Sequence, residues 1–370
     1  MMMMMNHHPA LPPEIIAEIL QWLPVKSVLK FRCVSKLWLS LISSDHFIQS
    51  RPRKPRVLTK LMTRSTLQIM DCCLESALCS RTFCETAIPF PVEVDCDRIS
   101  IVDSCNGLLC LATDHHVILW NPATRESKMV PHVAAPEVEP KSYDHEIGFG
   151  FGESCGDYKV VKLIEGRGDA SKRIVARVYS LKTDTWKSIE EDIEGRLMSR
   201  KGKFVDGKLY WAMIYNCGRR KWKQCSGKAV AGVLCVDVKT ETYEEIEPLL
   251  PHSDAPRLRV AVLDGRLCLV SNSSDSKVIS FWVLMKNKQQ QRQHQSESWS
   301  KMFKIFVRRG DMKPLYKLSK SELLLHSSDS LFVYNAKDKS CRYTGLSNCS
   351  SAHVYVESLV SPTKYPTAAT

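Results

Sequence analysis

The sequence predicts an α+β chain in two parts: a small N-terminal unit of three helices, then a much larger all-β domain of antiparallel sheets. Three observations carry this reading. Near the start, apolar residues recur at three- and four-residue steps; beyond about residue 57, strand-length apolar runs alternate with turns containing Gly, Asn or Asp; and that alternation repeats.

The helices come first, in "LPPEIIAEILQWLPVKSVLKFRCVSKLWLSLISSDHF". Pro12 and Pro13 suit a first helical turn, where a missing N–H costs little, and Ile15, Ile16, Ile19, Leu20 and Leu23 then make a wide apolar stripe. Pro24 ends this helix. A second, brief helix carries Val28, Leu29 and Phe31, and a third, beginning near Ser35, carries Leu37, Trp38, Leu41 and Ile42. A unit of about 40 residues seldom buries so much apolar surface within itself. The surplus calls for a partner, either the rest of this chain or another protein.

"RPRKPR", from Arg51 to Arg56, is the one dense basic run, and its two prolines favour a solvated, extended linker over residues 51–57. Residues 1–10 and 361–370 are expected to be disordered tails.

Between them, residues 58–360 repeat one plan. "SCNGLLCLATDHHVILWNPATRESKMV", "KFVDGKLYWAMIY" with "GVLCVDVKTETYEEI", "AVLDGRLCLV" with "VISFWVLM", and "LSKSELLLHSSDSLFVYNAKDKSCRY" each place a tight turn before an apolar strand. A second apolar strand and a polar one follow. "DYKVVKLIEG" with "IVARVYSLKTDTWKSI" is another copy, and "VLTKLMTRSTLQIMDCC" is a weaker one at the start. Gly107, Gly207 and Gly265 stand 100 and 58 positions apart, and Asp157 falls midway through the first interval. The unit is therefore close to the roughly 50-residue period of propeller blades. Sheets this small bury both faces only when stacked, so the domain is expected to be β-propeller-like with about six blades; a two-sheet sandwich is the competing arrangement.

Composition limits the functional classes. The 370 residues are 44% hydrophobic and 25% charged, with a net charge of +12. No window holds the roughly 18 uninterrupted apolar residues of a membrane helix, and "MMMMMNHHPALPPE" lacks the basic start and apolar run of a secretory leader. The fifteen cysteines are odd in number, irregularly spaced and often inside strands, as in "LLCLA". They read as reduced thiols packed as small hydrophobes, in a protein that is cytoplasmic, nuclear or both; the acceptor-like triplets at Asn272 and Asn348 then carry no sugar. With no recognition helix, RNA-binding signature or zinc-finger spacing beside the positive charge, neither nucleic acid nor membrane is an expected partner.

Two groups of motifs resemble one known family. Leu11-Pro12-Pro13-Glu14-Ile15-Ile16, Ile19-Leu20, Leu23-Pro24-Val25-Lys26-Ser27, Phe31 to Lys36 and Trp38 resemble an F-box, in its usual order and place. "SCNGLLCL", "LWNPATRESKMVP", "GFGFGESCGDYKVVKLI", "VYSLKTDTWKSI", "VLDGRLCLV", "SWSKMFKI" and "YVESLV" resemble the F-box-associated domain of plant F-box proteins. Together they span about Leu11 to Val360. The resemblance implies that the helices pack on the Skp-type adaptor of a Skp–cullin–F-box ubiquitin ligase, through Leu11, Pro12, Ile15, Ile19, Leu20, Leu23, Pro24, Leu29, Val34 and Trp38. Through the adaptor they would reach the cullin. It also implies that the β domain holds a target protein for ubiquitination and proteasomal degradation. A charge at Leu20 or Leu23 is expected to abolish adaptor binding and spare the β domain. Two departures from the family are the Gln-rich "KNKQQQRQHQSES" and the polar "VAAPEVEPKSYDHE", both expected as solvated loops.

No catalytic constellation accompanies these motifs, and no cofactor or metal is expected. "GFGFG" lacks dinucleotide-binding spacing and leads into a strand, so its glycines are expected in a close-packed strand. His115 and His116 beside Asp114 suit a hairpin turn, and "GRGD" at 166–169 has no meaning inside a cell. There is no GxSxG elbow, P-loop or HExxH motif. The chain is expected to be a receptor that raises the local concentration of target lysines beside a conjugating enzyme. An adaptor-bound scaffold that does not promote degradation stays open, as does a propeller enzyme or lectin with a helical cap.

Overall fold

The computed structural model describes residues 11–62, 67–78, 86–90, 99–113, 115–132, 145–165, 173–215, 230–246, 257–272, 278–285, 298–306 and 312–364. The Gln-rich insertion up to residue 297, residues 133–144 of the other polar loop, "GRGD" and residues 1–10 and 365–370 of the tails lie outside them.

The first helix, α1 (Pro13–Trp22), starts at the proline pair and stops at Leu23, and Pro24 then stands at the N-terminus of α2 (Val25–Phe31). Ser35 accepts a hydrogen bond from the Trp38 N–H and so caps α3 (Lys36–Ser43). The structure adds a fourth helix to the expected three, α4 (Asp45–Ser50), capped in the same way by the Ser44 hydroxyl.

The β domain is a propeller of six antiparallel sheets, five with four strands and one with five among the described residues. The innermost strands touch one another in a closed ring. In ring order they are Cys349–Val356, Ser100–Cys105, His145–Gly152, the pair Arg196–Leu197 and Lys203–Val205, Arg257–Leu263, and Met312–Lys317. Blades two to six run outward in chain order. The first blade takes its inner strand from the C-terminal end, pairing Val57 with Val354 and Pro55 with Val356. This closure joins the two ends of the β domain in one sheet and leaves no gap in the ring, where an open edge would recruit other chains.

Local chemistry explains the blades. Asn106-Gly107, Asp206-Gly207 and Asp264-Gly265 all have positive φ, as a two-residue hairpin that follows the strand twist requires. The next hairpin is also shared. Asn121, Ser180, Asp237 and Asn335 each open a loop whose fifth residue, Arg125, Asp184, Glu241 or Lys339, is left-handed.

Six buried clusters fill the six seams between neighbouring blades. The alternation of a strand divides its residues between two seams: in Leu108–Ala112, Leu108 and Cys110 face the third blade while Leu109 and Leu111 face the first. Such strands are apolar throughout because both faces are covered.

The glycines of "GFGFG" sit in strand His145–Gly152, as expected, and Gly148 and Gly150 lie beneath aromatic rings. A Cβ on Gly148 would lie 2.6 Å from the Trp211 ring, and one on Gly150 would lie 2.2 Å from that of Phe204. The backbone N–H groups of His115 and His116 donate to the Thr113 hydroxyl in a hairpin turn. Cys72, Cys105, Cys110, Cys235, Cys268 and Cys349 are buried as thiols outside any disulfide. Burial raises the pKa of Cys105 to about 12 and that of Cys268 to about 11.

Two expectations about the ends of the β domain are corrected. The basic run is not a solvated linker throughout, because Pro55 already begins a strand and Arg56 binds the Asp71 carboxylate across two strands. Residues 361–364 lie within the expected tail, yet an ion pair from Lys364 to Asp45 holds them against α4.

Candidate functional site

Helix α1 is apolar on two sides, and the sides have different fates. Ile16, Leu20 and Leu23, at spacings of four and three, turn inward with Val25, Val28, Ile42 and Phe47. This core is completed by Ala123 of the second blade and Leu359 of the C-terminal segment, so the helices are seated on the propeller. Ile15, Ile19 and Trp22, offset by one position, form a second stripe beside the first and are exposed, Trp22 by 64%.

Helix α3 divides in the same way. Trp38 meets the Phe31 ring edge-on at 5.4 Å and, with Leu41 and Ile42, faces the core. Val34, Leu37 and Leu39 are exposed. So "CVSKLWLSLI" buries part of its apolar surface in its own chain and leaves part of it open.

The seat itself is polar as well as apolar. Arg51 donates to the Leu20 carbonyl at 2.8 Å and to the Leu23 carbonyl at 2.6 Å, closing the C-terminus of α1, and lies over the Phe47 ring. Burial lowers its pKa, partly opposed by the charge of Glu357. On the propeller side Asn121, fully buried, donates to the Ser358 carbonyl at 3.1 Å and to that of Val360 at 2.6 Å. Its side-chain oxygen accepts from the Ala123 N–H at 2.9 Å. One side chain thus fixes the strand-to-turn corner and the C-terminal segment against which the helices rest.

The ten residues predicted for adaptor binding therefore fall into two groups. Leu11, Pro12, Ile15, Ile19, Pro24 and Val34 are exposed; Leu20, Leu23, Leu29 and Trp38 line the inner core. The expectation that a charge at Leu20 or Leu23 would spare the β domain is corrected on this ground, since both pack in the core that joins the helices to the propeller. Trp22, Leu37 and Leu39 were missed, although Trp22 stands three residues after Ile19 and seven after Ile15, on the same face of α1. Arg51 was missed because nothing in a basic run marks which cation caps a helix. Among the described residues, no three His, Cys, Asp or Glu side chains converge as metal ligands.

A helical unit with an open apolar face is thus seated on a six-bladed propeller. Residues 9–50 match the F-box domain and residues 59–361 match the F-box associated beta propeller domain, so the chain belongs to the F-box proteins that carry this propeller. The F-box/kelch-repeat protein At3g23880 of Arabidopsis thaliana is 26% identical to it, over 95% of this chain and 96% of that one. The putative F-box protein At3g16210 of the same plant is 28% identical, over 64% and 60%. Among solved structures, an oligogalacturonate lyase in complex with manganese aligns with a TM-score of 0.41 at 12% identity, over 78% of this chain and 73% of that chain. The Dos1 propeller aligns at 0.37 and 11% identity, over 81% and 75%.

Proposed function

We propose that this chain is the substrate-recognition subunit of a Skp–cullin–F-box ubiquitin ligase, cytoplasmic, nuclear or both. Its F-box binds the Skp-type adaptor, and its propeller holds a protein whose ubiquitination and degradation it promotes. The observation that carries the reading is the second apolar face of the F-box: Ile15, Ile19 and Trp22 on α1, with Leu11, Val34, Leu37 and Leu39 beside the helices, are exposed after the inner core is complete. Large side chains left open in this number mark an interface. The chain itself then supplies position and not chemistry; transfer of ubiquitin occurs at the conjugating enzyme, and the gain in rate comes from the raised effective concentration of target lysines.

The test is purification of the tagged chain from plant cells with the proteasome blocked, beside the Ile19→Asp variant. Adaptor and cullin are expected with the first and absent from the second, while a target protein persists on both and accumulates when the chain is removed. An intact chain that retains neither adaptor nor cullin refutes the assignment. A chain that retains both, with turnover of every captured protein unchanged on its removal, refutes the degradative part.

A further inference from the structure

The ring of inner strands encloses a cavity of about 690 Å³ on the propeller axis. Its lining is unbalanced in charge. Arg53, Arg200, Lys201, Lys203, Arg259 and Lys313 all border it, contributed by the N-terminal approach and by three different blades. Asp103 is the one carboxylate residue among the described lining residues, and Lys203 lies 3.1 Å from it.

The cations feel one another. The Lys201 Nζ donates to the Ile101 carbonyl at 2.5 Å, and its pKa falls to about 8 through burial and then the charges of Lys203 and Lys313. His353 lines the same cavity, and burial, with the charges of Lys201, Lys203 and Lys313, lowers its pKa well below 6.5. Like charges gathered around one cavity repel one another, and a bound anion relieves that repulsion.

We propose that the central channel is a binding site for a small, multiply charged anion of the phosphate-ester class. The volume is that of a small-molecule site, and the walls are closed laterally by strands. Each phosphate group brings up to about two charges and several acceptor oxygens where a carboxylate brings one charge, so few atoms meet many cations. Lys and Arg are the side chains suited to this exchange. Val262 and Leu315 add apolar contact along the wall. The site is independent of the adaptor surface, which lies on the F-box helices.

Titration of the full chain with inorganic tripolyphosphate at fixed ionic strength, followed by calorimetry, tests this. Saturable one-to-one binding is expected. Lys313→Gln and Arg259→Gln are each expected to weaken it about tenfold, the loss of one charged contact. Lys320→Gln, an exposed lysine outside the cavity, is expected to leave it unchanged. Lys313 is exposed on its strand, so its variant is expected to fold, and melting curves of each form check that. Absence of binding, or equal affinity in all four forms, overturns the site. Binding of a decaglutamate peptide where tripolyphosphate fails also overturns it, in favour of an acidic protein segment. Adaptor binding measured on the same samples reports separately on the proposed function.

Discussion

Ile19 and Leu20 are neighbours on α1 with different fates: Leu20 is 1% exposed, in the core that joins the F-box to the propeller, whereas Ile19 is 50% exposed. A charge at each position separates the two roles. Ile19→Asp is expected to melt like the parent and to lose the adaptor, whereas Leu20→Asp, which buries a carboxylate, is expected to lose several kcal/mol of stability. Thermal melts and adaptor titrations of both variants check this. Equal effects from the two would contradict the division of α1 into an inner and an outer face.

Asn121 couples the second blade to the C-terminal segment with two donated hydrogen bonds and two accepted at the turn, from the Ala123 and Thr124 N–H groups. Asn121→Ala removes the donors to two part-buried carbonyls and should cost about 1–3 kcal/mol. Asn121→Asp is the sharper probe: it keeps the acceptor for the turn but cannot donate to Ser358 or Val360 when ionised. Denaturant unfolding should show both variants well below the parent. A change under about 0.5 kcal/mol for Asp would mean the donated bonds contribute little.

Gly150 lies where any Cβ would meet the Phe204 ring at 2.2 Å. Gly150→Ala is expected to destabilise by about 1–3 kcal/mol through overpacking, and Phe204→Leu in the same chain should recover part of that. Additive losses in the double variant, measured by urea midpoints, would show that the ring is not the obstacle.

His353 sits among Lys201, Lys203, Lys313 and His326, and burial with these charges holds its pKa well below 6.5. A depressed folded-state value means that this histidine stays neutral while its unfolded counterpart takes up a proton. Its contribution to stability is therefore full above pH 6.5 and is lost as pH falls below that value. The His353→Gln variant should show a flatter stability profile than the parent between pH 7 and pH 5, read from melting temperatures. An identical slope would remove His353 as the cause.

The sequence by itself determined the two-part plan and the F-box, and it pointed to about six blades, whereas the count of six and the choice of a propeller over a sandwich came from the strand pairing. The hairpins of Asn106-Gly107, Asp206-Gly207 and Asp264-Gly265 and the continuous apolar runs of strands such as Leu108–Ala112 are local, so they can be read in order along the chain. Spacing on a helix also marks Leu20 and Ile19 as apolar. Only the tertiary structure decided which of them is covered, because Ala123 and Leu359, which complete the inner core, lie about 100 and 340 positions away. The fourth helix has the same explanation, since six residues have little helical stability until Phe47 is packed. The basic run shows the limit most clearly. In sequence Arg51, Arg53 and Arg56 are alike, yet one closes a helix, one borders the axial cavity and one binds Asp71. Charge is written in the sequence, but its partners are chosen when the ring closes, since closure brings cations from distant blades to one axis and leaves their repulsion for a ligand to relieve.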